Sequence, residues 1–153
     1  NTPALIGKGA SGLFANNKVS RAQKQLAQAI MEAVGICVSV KDESDIDTVT
    51  AVSGSGPAYF FLFMEAMQEV AQELGLSKDL AKSLICHTVI GAGELAKYSE
   101  NSTAELREKV TSPGGTTQHA ISTFESGNLK ELVREALMAA RNRSIELAQE
   151  SNN

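Results

Sequence analysis

The sequence lacks most of the signals that mark specialised chemistry. Its two cysteines, Cys37 and Cys86, stand far apart and alone, which indicates neither a zinc site nor a disulfide framework. His87 and His119 each sit without a carboxylate at ligand spacing, so no metal site is expected, because metal binding needs convergent ligands. There is no Gly-x-Ser-x-Gly elbow and no Cys/His pair to support covalent catalysis. Basic residues number 14 against 18 acidic ones, and with a net charge of −4 nucleic acid is not the expected partner, since phosphate binding needs a basic face. The longest apolar run, residues 58–64, is cut by Glu65 and is far too short to span a bilayer. No signal peptide, internal repeat or low-complexity segment is visible, and the cytoplasm is the expected compartment. A chain that opens on Asn1 rather than Met reads as a piece of a longer gene product.

What remains is an ordinary globular composition, 42% hydrophobic and 21% charged over 153 residues, enough for one domain with a core or a domain plus a fragment. Residues 1–19 are rich in Gly and Asn. Within them Gly7-Lys-Gly-Ala-Ser-Gly12 matches the dinucleotide fingerprint letter by letter. That fingerprint must follow a strand and open a helix. Here Asn16 and Asn17 interrupt, and the next helix begins only near Ser20, so a Gly-rich extended segment or turn is the better reading. Ser20 with Gln23 forms a capping box, and Leu26, Ala29, Ile30, Ala33 and Val34 recur at helical spacing until Gly35. Residues 36–40 read as a strand. A strand-helix-strand order is the tail of an α/β sheet, and it is too small to stand alone.

From Asp42 onward no further strand is predicted. Residues 42–53 read as a helix with acidic residues in its first turn, and Pro57 opens the next after the Ser53-Gly-Ser-Gly break. That next helix, residues 58–74, is apolar on nearly every side before Glu65, so it belongs in a core or in an oligomer interface. Gly75 ends it, and Ser77 caps a helix over 78–98. Gly91 and Gly93 lie inside that helix at a cost of about 1 kcal/mol each against Ala, which implies either a close helix–helix approach or a kink. Ser102 and Glu105 form a second capping box before a short helix to Val110. Two more helices are predicted, from Thr116 to Gly127 and from Leu129 to Gln149, with a frayed end over 151–153. The fold class is therefore mainly α, a helical bundle preceded by a short β-α-β remnant.

The stretch from Val110 to Glu125 carries the most chemistry. Pro113 cannot continue the preceding helix, and it pushes Ser112 toward extended geometry. Gly114 and Gly115 let the backbone turn, and Thr116 and Thr117 fall in the first turn of a new helix. Unpaired N–H groups, the positive end of the macrodipole and two hydroxyls are the parts of a small anion site. The same residues also serve as ordinary stops and caps. Glu43, just past the strand, is either a first-turn acid or a functional one, and residues 53–56 are either a helix junction or a ligand-facing backbone.

Thr111-Ser-Pro-Gly-Gly-Thr-Thr117, followed by Ala120-Ile121 and Phe124-Glu125, resembles the signature of pyrroline-5-carboxylate reductases. Thr50-Ala-Val-Ser-Gly-Ser-Gly-Pro-Ala-Tyr59 is a second match, Asn1-Thr-Pro3 a partial one, and Glu43 falls where the family keeps an acid. The resemblance covers essentially the whole chain. It implies that residues 1–43 end a nucleotide-binding Rossmann domain and that residues 44–153 form a helical dimerisation and substrate-binding domain. The implied reaction is reduction of 1-pyrroline-5-carboxylate to L-proline by NADH or NADPH, with the cofactor held mainly by an upstream part.

By the same resemblance, Gly114, Gly115 and Thr116 hold the substrate carboxylate, and Val110 and Ser112 line the pocket. Thr117 hydrogen-bonds the ring nitrogen, Glu43 faces substrate and cofactor, and Asn1 and Lys109 lie near the cofactor. The site would span a homodimer interface, so a monomer, or this part alone, would be inactive, and further assembly of dimers is left open. Two other readings are a non-catalytic dimerisation module and another two-domain NAD(P)-dependent dehydrogenase. The Thr111–Thr117 run argues against the latter.

Overall fold

Glycine sets the packing at the front of the molecule. In the computed structural model, which describes residues 1–151, strands β1 (Gly9–Leu13) and β2 (Gly35–Ser39) run parallel, with Gly9 opposite Gly35 and Leu13 opposite Ser39. A Cβ at Gly35 would collide with the backbone of Gly9, and one at Gly12 would lie 2.9 Å from Val49 Cγ1. Of the fingerprint-like glycines, Gly9 and Gly12 thus lie along a strand, where their bareness serves close approach, while Gly7 supplies a left-handed turn before it, as the reading of an extended segment or turn expects.

The crossover helix α1 (Arg21–Glu32) starts with the predicted capping box: Ser20 N–H donates to Gln23 Oε1 at 2.8 Å and Gln23 N–H to Ser20 Oγ at 3.3 Å. It ends before Gly35, because Ala33 and Val34 donate in tight turns to Ile30 and Met31.

The predicted helix over 42–53 is shorter and of two kinds. Residues 42–44 form a turn in which Asp45 Oδ2 accepts the Asp42 N–H at 3.2 Å, and α2 proper spans Asp45–Val49. Its continuation, Thr50–Gly54, widens into a π-type turn that closes with Ser55 N–H on Thr50 O at 2.8 Å. Tyr59 Oη donates to Ala51 O at 3.2 Å and steadies the widened turn. Five further helices follow: α3 (Gly56–Glu73), α4 (Lys78–Tyr98), α5 (Thr103–Lys109), α6 (Thr116–Ser126) and α7 (Leu129–Glu150). No strand follows Ser39 among the described residues, so the chain is mainly α with a β-α-β front. The frayed end was expected over 151–153; Ser151 forms a turn, and 152 and 153 lie outside the described residues.

The chain divides into two compact units, Asn1–Phe60 with Val133–Asn153, and Phe61–Leu132. In the first, Arg141 Nε donates to Thr48 Oγ1 at 3.1 Å and Ser144 Oγ to Asp47 Oδ1 at 2.7 Å, tying α7 to α2. In the second, Ala81 and Ile85 are buried and the rings of Phe63 and Phe124 meet at 5.9 Å.

The apolar helix α3 is not in a core. Phe60, Phe61 and Leu62 are 64%, 60% and 68% exposed. Of the two places the sequence allowed for this helix, the chain's own interior is excluded. A similar result holds for Gly91 and Gly93. A Cβ at either would meet nothing within 4 Å, and α4 runs through both, so no close approach among the described residues explains them.

The start of α5 carries a pH dependence. Glu105 Oε2 accepts Ser102 N–H at 2.7 Å and Ser102 Oγ at 2.8 Å, and these bonds hold its carboxyl below the usual carboxylate range. A depressed pKa stabilises the fold above the unfolded value of about 4.3 and is lost as pH falls through the folded value. The protection of the Ser102 amide, its exchange measured relative to the intrinsic rate at each pH, should therefore hold at neutral pH and fall on acidification below about pH 4. Glu105→Gln should flatten that response; an unchanged acid limb would contradict this cap.

Candidate functional site

Helix α5 stops because its last turn is used up locally. Val110 N–H donates to Arg107 O at 3.3 Å, Thr111 N–H to Glu108 O at 3.0 Å, and Thr111 Oγ1 to Arg107 O at 2.6 Å. Pro113 has no N–H to extend the ladder. Ser112 O then accepts Gly115 N–H at 3.0 Å across Pro113 and Gly114, and Gly114 has φ 71. Proline second and left-handed glycine third is the pattern of a type II turn. A Cβ at Gly115 would fall on Ser112 Oγ and lie 3.1 Å from Ser112 O, so this second glycine is favoured by contact rather than by dihedral angle.

Helix α6 opens on Gly115, which has no side chain to cap it. The first backbone bond that spans its opening turn is His119 N–H to Gly115 O at 3.3 Å. The N–H groups of Thr116, Thr117 and Gln118 have no hydrogen-bond partner among the described residues. The adjoining donors are occupied: Gly115 by Ser112 O, and Gly114 by Gln118 Oε1 at 2.6 Å.

The threonine hydroxyls separate in the same way. Those of Thr88, Thr111 and Thr123 donate to carbonyls four residues back at 2.8, 2.6 and 3.1 Å. Those of Thr116 and Thr117 have no such bond, and Thr117 is half-buried. The result is a compact set of unpaired donors and hydroxyls at the positive end of a helix, suited to a carboxylate.

Of the residues singled out in the sequence, Val110, Ser112, Gly114, Gly115, Thr116 and Thr117 are brought together by this turn. Val110 is exposed. Lys109 Nζ, in the same unit, donates to Asn101 Oδ1 at 2.8 Å. Asn1 and Glu43 belong to the other unit. Asn1 is a structural tie, with Nδ2 donating to Ser53 O at 2.7 Å and Oδ1 accepting Ala10 N–H at 3.1 Å. Glu43 is exposed in the turn before α2, where its carbonyl accepts Ile46 N–H at 3.0 Å. Cys37 on β2 is free; burial and the nearby Glu32 charge push its thiol up, away from the reactive thiolate.

Two clefts lie elsewhere. One of ≈ 370 Å³ is bounded by Ile36, Val38, Val49 and Val52. The other, of ≈ 350 Å³, lies beside Arg107, Phe124 and Glu125, where Arg107 Nη1 stands 3.8 Å from Glu125 Oε1. Neither includes residues 110–117, which form an open turn on the single chain. Sequence reasoning missed Gln118, whose only signal is an amide side chain four residues after a left-handed glycine. Among the described residues, no helix is long and apolar enough to cross a membrane.

Comparison with known proteins decides the family. The model for pyrroline-5-carboxylate reductase dimerisation matches residues 43–147. The chain belongs to this family. The resemblance read from the motifs is thereby borne out. A pyrroline-5-carboxylate reductase of Pseudomonas aeruginosa is 53% identical over 150 residues, covering 98% of this chain and 55% of the relative. A solved pyrroline-5-carboxylate reductase from Coxiella burnetii superposes with a TM-score of 0.92 at 54% identity, over 96% of this chain and 54% of that one. A pyrroline carboxylate reductase from Plasmodium falciparum, solved with NADP bound, gives a TM-score of 0.86 at 35% identity, over 94% and 59%. The chain spans about half the length of the curated relatives it matches.

Proposed function

We propose that this chain is the dimerising, substrate-binding part of an enzyme that reduces 1-pyrroline-5-carboxylate to L-proline with NADH or NADPH. The observation that carries the reading is the uncapped start of α6, with unpaired N–H groups and two unengaged hydroxyls, in a chain of this family. Residues 1–43 would end a nucleotide-binding domain and 44–153 would form the dimerisation and substrate domain.

The roles are those the family resemblance implies, and the free donors at the start of α6 support the carboxylate assignment. Thr116 N–H and its neighbour hold the substrate carboxylate, since the Gly115 N–H is already engaged by Ser112. Gly114 and Gly115 shape the turn that delivers those donors, and Ser112 and Val110 border the ring. The Thr117 hydroxyl hydrogen-bonds the ring nitrogen and orients the imine. Glu43 contributes a negative charge that favours the cationic iminium over the neutral imine.

The dinucleotide fits only the margin of this chain. The chain's glycine run lies in a turn leading into β1 and in β1 itself rather than in a strand-to-helix turn, so the phosphate cradle would belong to another part of the protein. Asn1, Glu43 and Lys109 would border the cofactor, with Asn1 ordering β1 against the widened turn. Bound NAD(P)H supplies the hydride, the difficult step of the reaction.

The partner is a second copy of the chain, seated on the exposed apolar surface of α3. Spectrophotometry of NADH or NADPH oxidation tests the reading: the full-length protein should turn over the imine and residues 1–153 alone should not. A full-length protein that oxidises neither cofactor in the presence of the imine would refute it.

A further inference from the structure

The turn that presents the free N–H groups is held by a side chain from inside the helix it precedes. Gln118 lies in the first turn of α6, and its Oε1 folds back to accept the Gly114 N–H at 2.6 Å. Gly114 is the left-handed residue of the turn, at φ 71, and nothing lies within 4 Å of where its Cβ would be. It therefore has no packing to hold it. Its backbone is fixed by the Gln118 bond on its own N–H and by the Ser112–Gly115 bond that spans it. Between them the two bonds tie the three successive peptide units from Ser112 to Gly115, which lead directly into the turn where Thr116 and Thr117 present their N–H groups.

We infer that Gln118 is a positioning residue for the carboxylate site: it clamps the Gly114 peptide and so fixes the donors that follow. This rests on the proposed reductase function. Without the clamp, a glycine free of side-chain contacts samples both signs of φ, and the donors lose their fixed direction. Binding of the carboxylate then has to order the turn again, so the loss falls on substrate affinity rather than on the hydride step. Gln118 also fills the Gly114 donor, which removes a competing position for the anion and leaves Thr116 and Thr117 as the outlet.

The test replaces Gln118 with Met, which is close in size, favours helix equally well and cannot accept the bond. In residues 1–153, Gly114 amide exchange should accelerate in Gln118→Met while the protection of α4 is unchanged. In the full-length protein, KM for the imine should rise about three- to tenfold, the equivalent of one neutral hydrogen bond, with kcat within about twofold. Gln118→Glu retains an acceptor and should restore slow Gly114 exchange, although its charge opposes the anion. Unchanged Gly114 exchange in Gln118→Met overturns the clamp. Faster exchange with an unchanged KM overturns the positioning role. Wild-type protein that fails to reduce the imine refutes the functional reading and this role with it, whereas a rise in KM alone in the variant supports both.

Discussion

Thr117→Ala in the full-length protein is expected to lower kcat/KM for the imine by about 10- to 100-fold, the range for a hydrogen bond to a group bearing charge. The expectation comes from what the hydroxyl does not do. Thr88, Thr111 and Thr123 spend their hydroxyls on carbonyls of their own chain, and Thr117 does not. Alanine is also the better helix former, so α6 loses nothing in propensity. A drop in activity therefore cannot be assigned to unfolding, and the mass of the assembly should be unchanged. Thr117→Ser, which keeps the hydroxyl, should retain most of the turnover. Unchanged turnover in Thr117→Ala would remove this residue from the mechanism.

Leu62→Asp is expected to convert the dimer to monomer. On the single chain Leu62 is 68% exposed, so an aspartate there should cost the isolated fold little. If a second copy covers α3, the same change buries an unpaired carboxylate where a leucine was packed. That penalty is about 3–5 kcal/mol, or a weakening of roughly 10²- to 10³-fold or more at each such position. In a twofold dimer the substitution occurs on both chains, which compounds the effect. Sedimentation should show a single species near the chain mass of 16.2 kDa in place of twice that value. Ala58→Asp, nearer the start of the helix, should act in the same direction. An intact dimer carrying Leu62→Asp would place the interface elsewhere.

How much of this was legible in the sequence depends on whether the signal was local. Capping boxes at Ser20 and Ser102 are complete within four residues, and both are present in the structure. The Pro113-Gly114-Gly115 break before α6 is local too, and it lies where the residues require it. The shortened α2 was not legible. The widened turn at Thr50–Gly54 is accompanied by Tyr59 reaching back to Ala51, a contact invisible to helical periodicity. Gly91 and Gly93 mark a further limit, because their bareness finds no neighbour among the described residues. An apolar α3 says only that something covers it; that Phe60, Phe61 and Leu62 stay exposed among the described residues required the coordinates.

At the candidate site, the residue types pointed to an anion, but their division of labour did not follow from them. Gly114 and Gly115 look alike in sequence. In the structure one supplies a left-handed turn and the other gives room for Ser112. Which N–H groups stay free is decided by Ser112 O and the Gln118 side chain. Spacing alone cannot report such a choice.

The most direct test of the account is calorimetric titration of residues 1–153 with proline or tetrahydrofuran-2-carboxylate, with the mass in solution measured on the same sample. The account predicts a dimer of twice 16.2 kDa that binds one carboxylate ligand per chain, with binding weakened by Thr117→Ala. A monomer that binds neither ligand would contradict it.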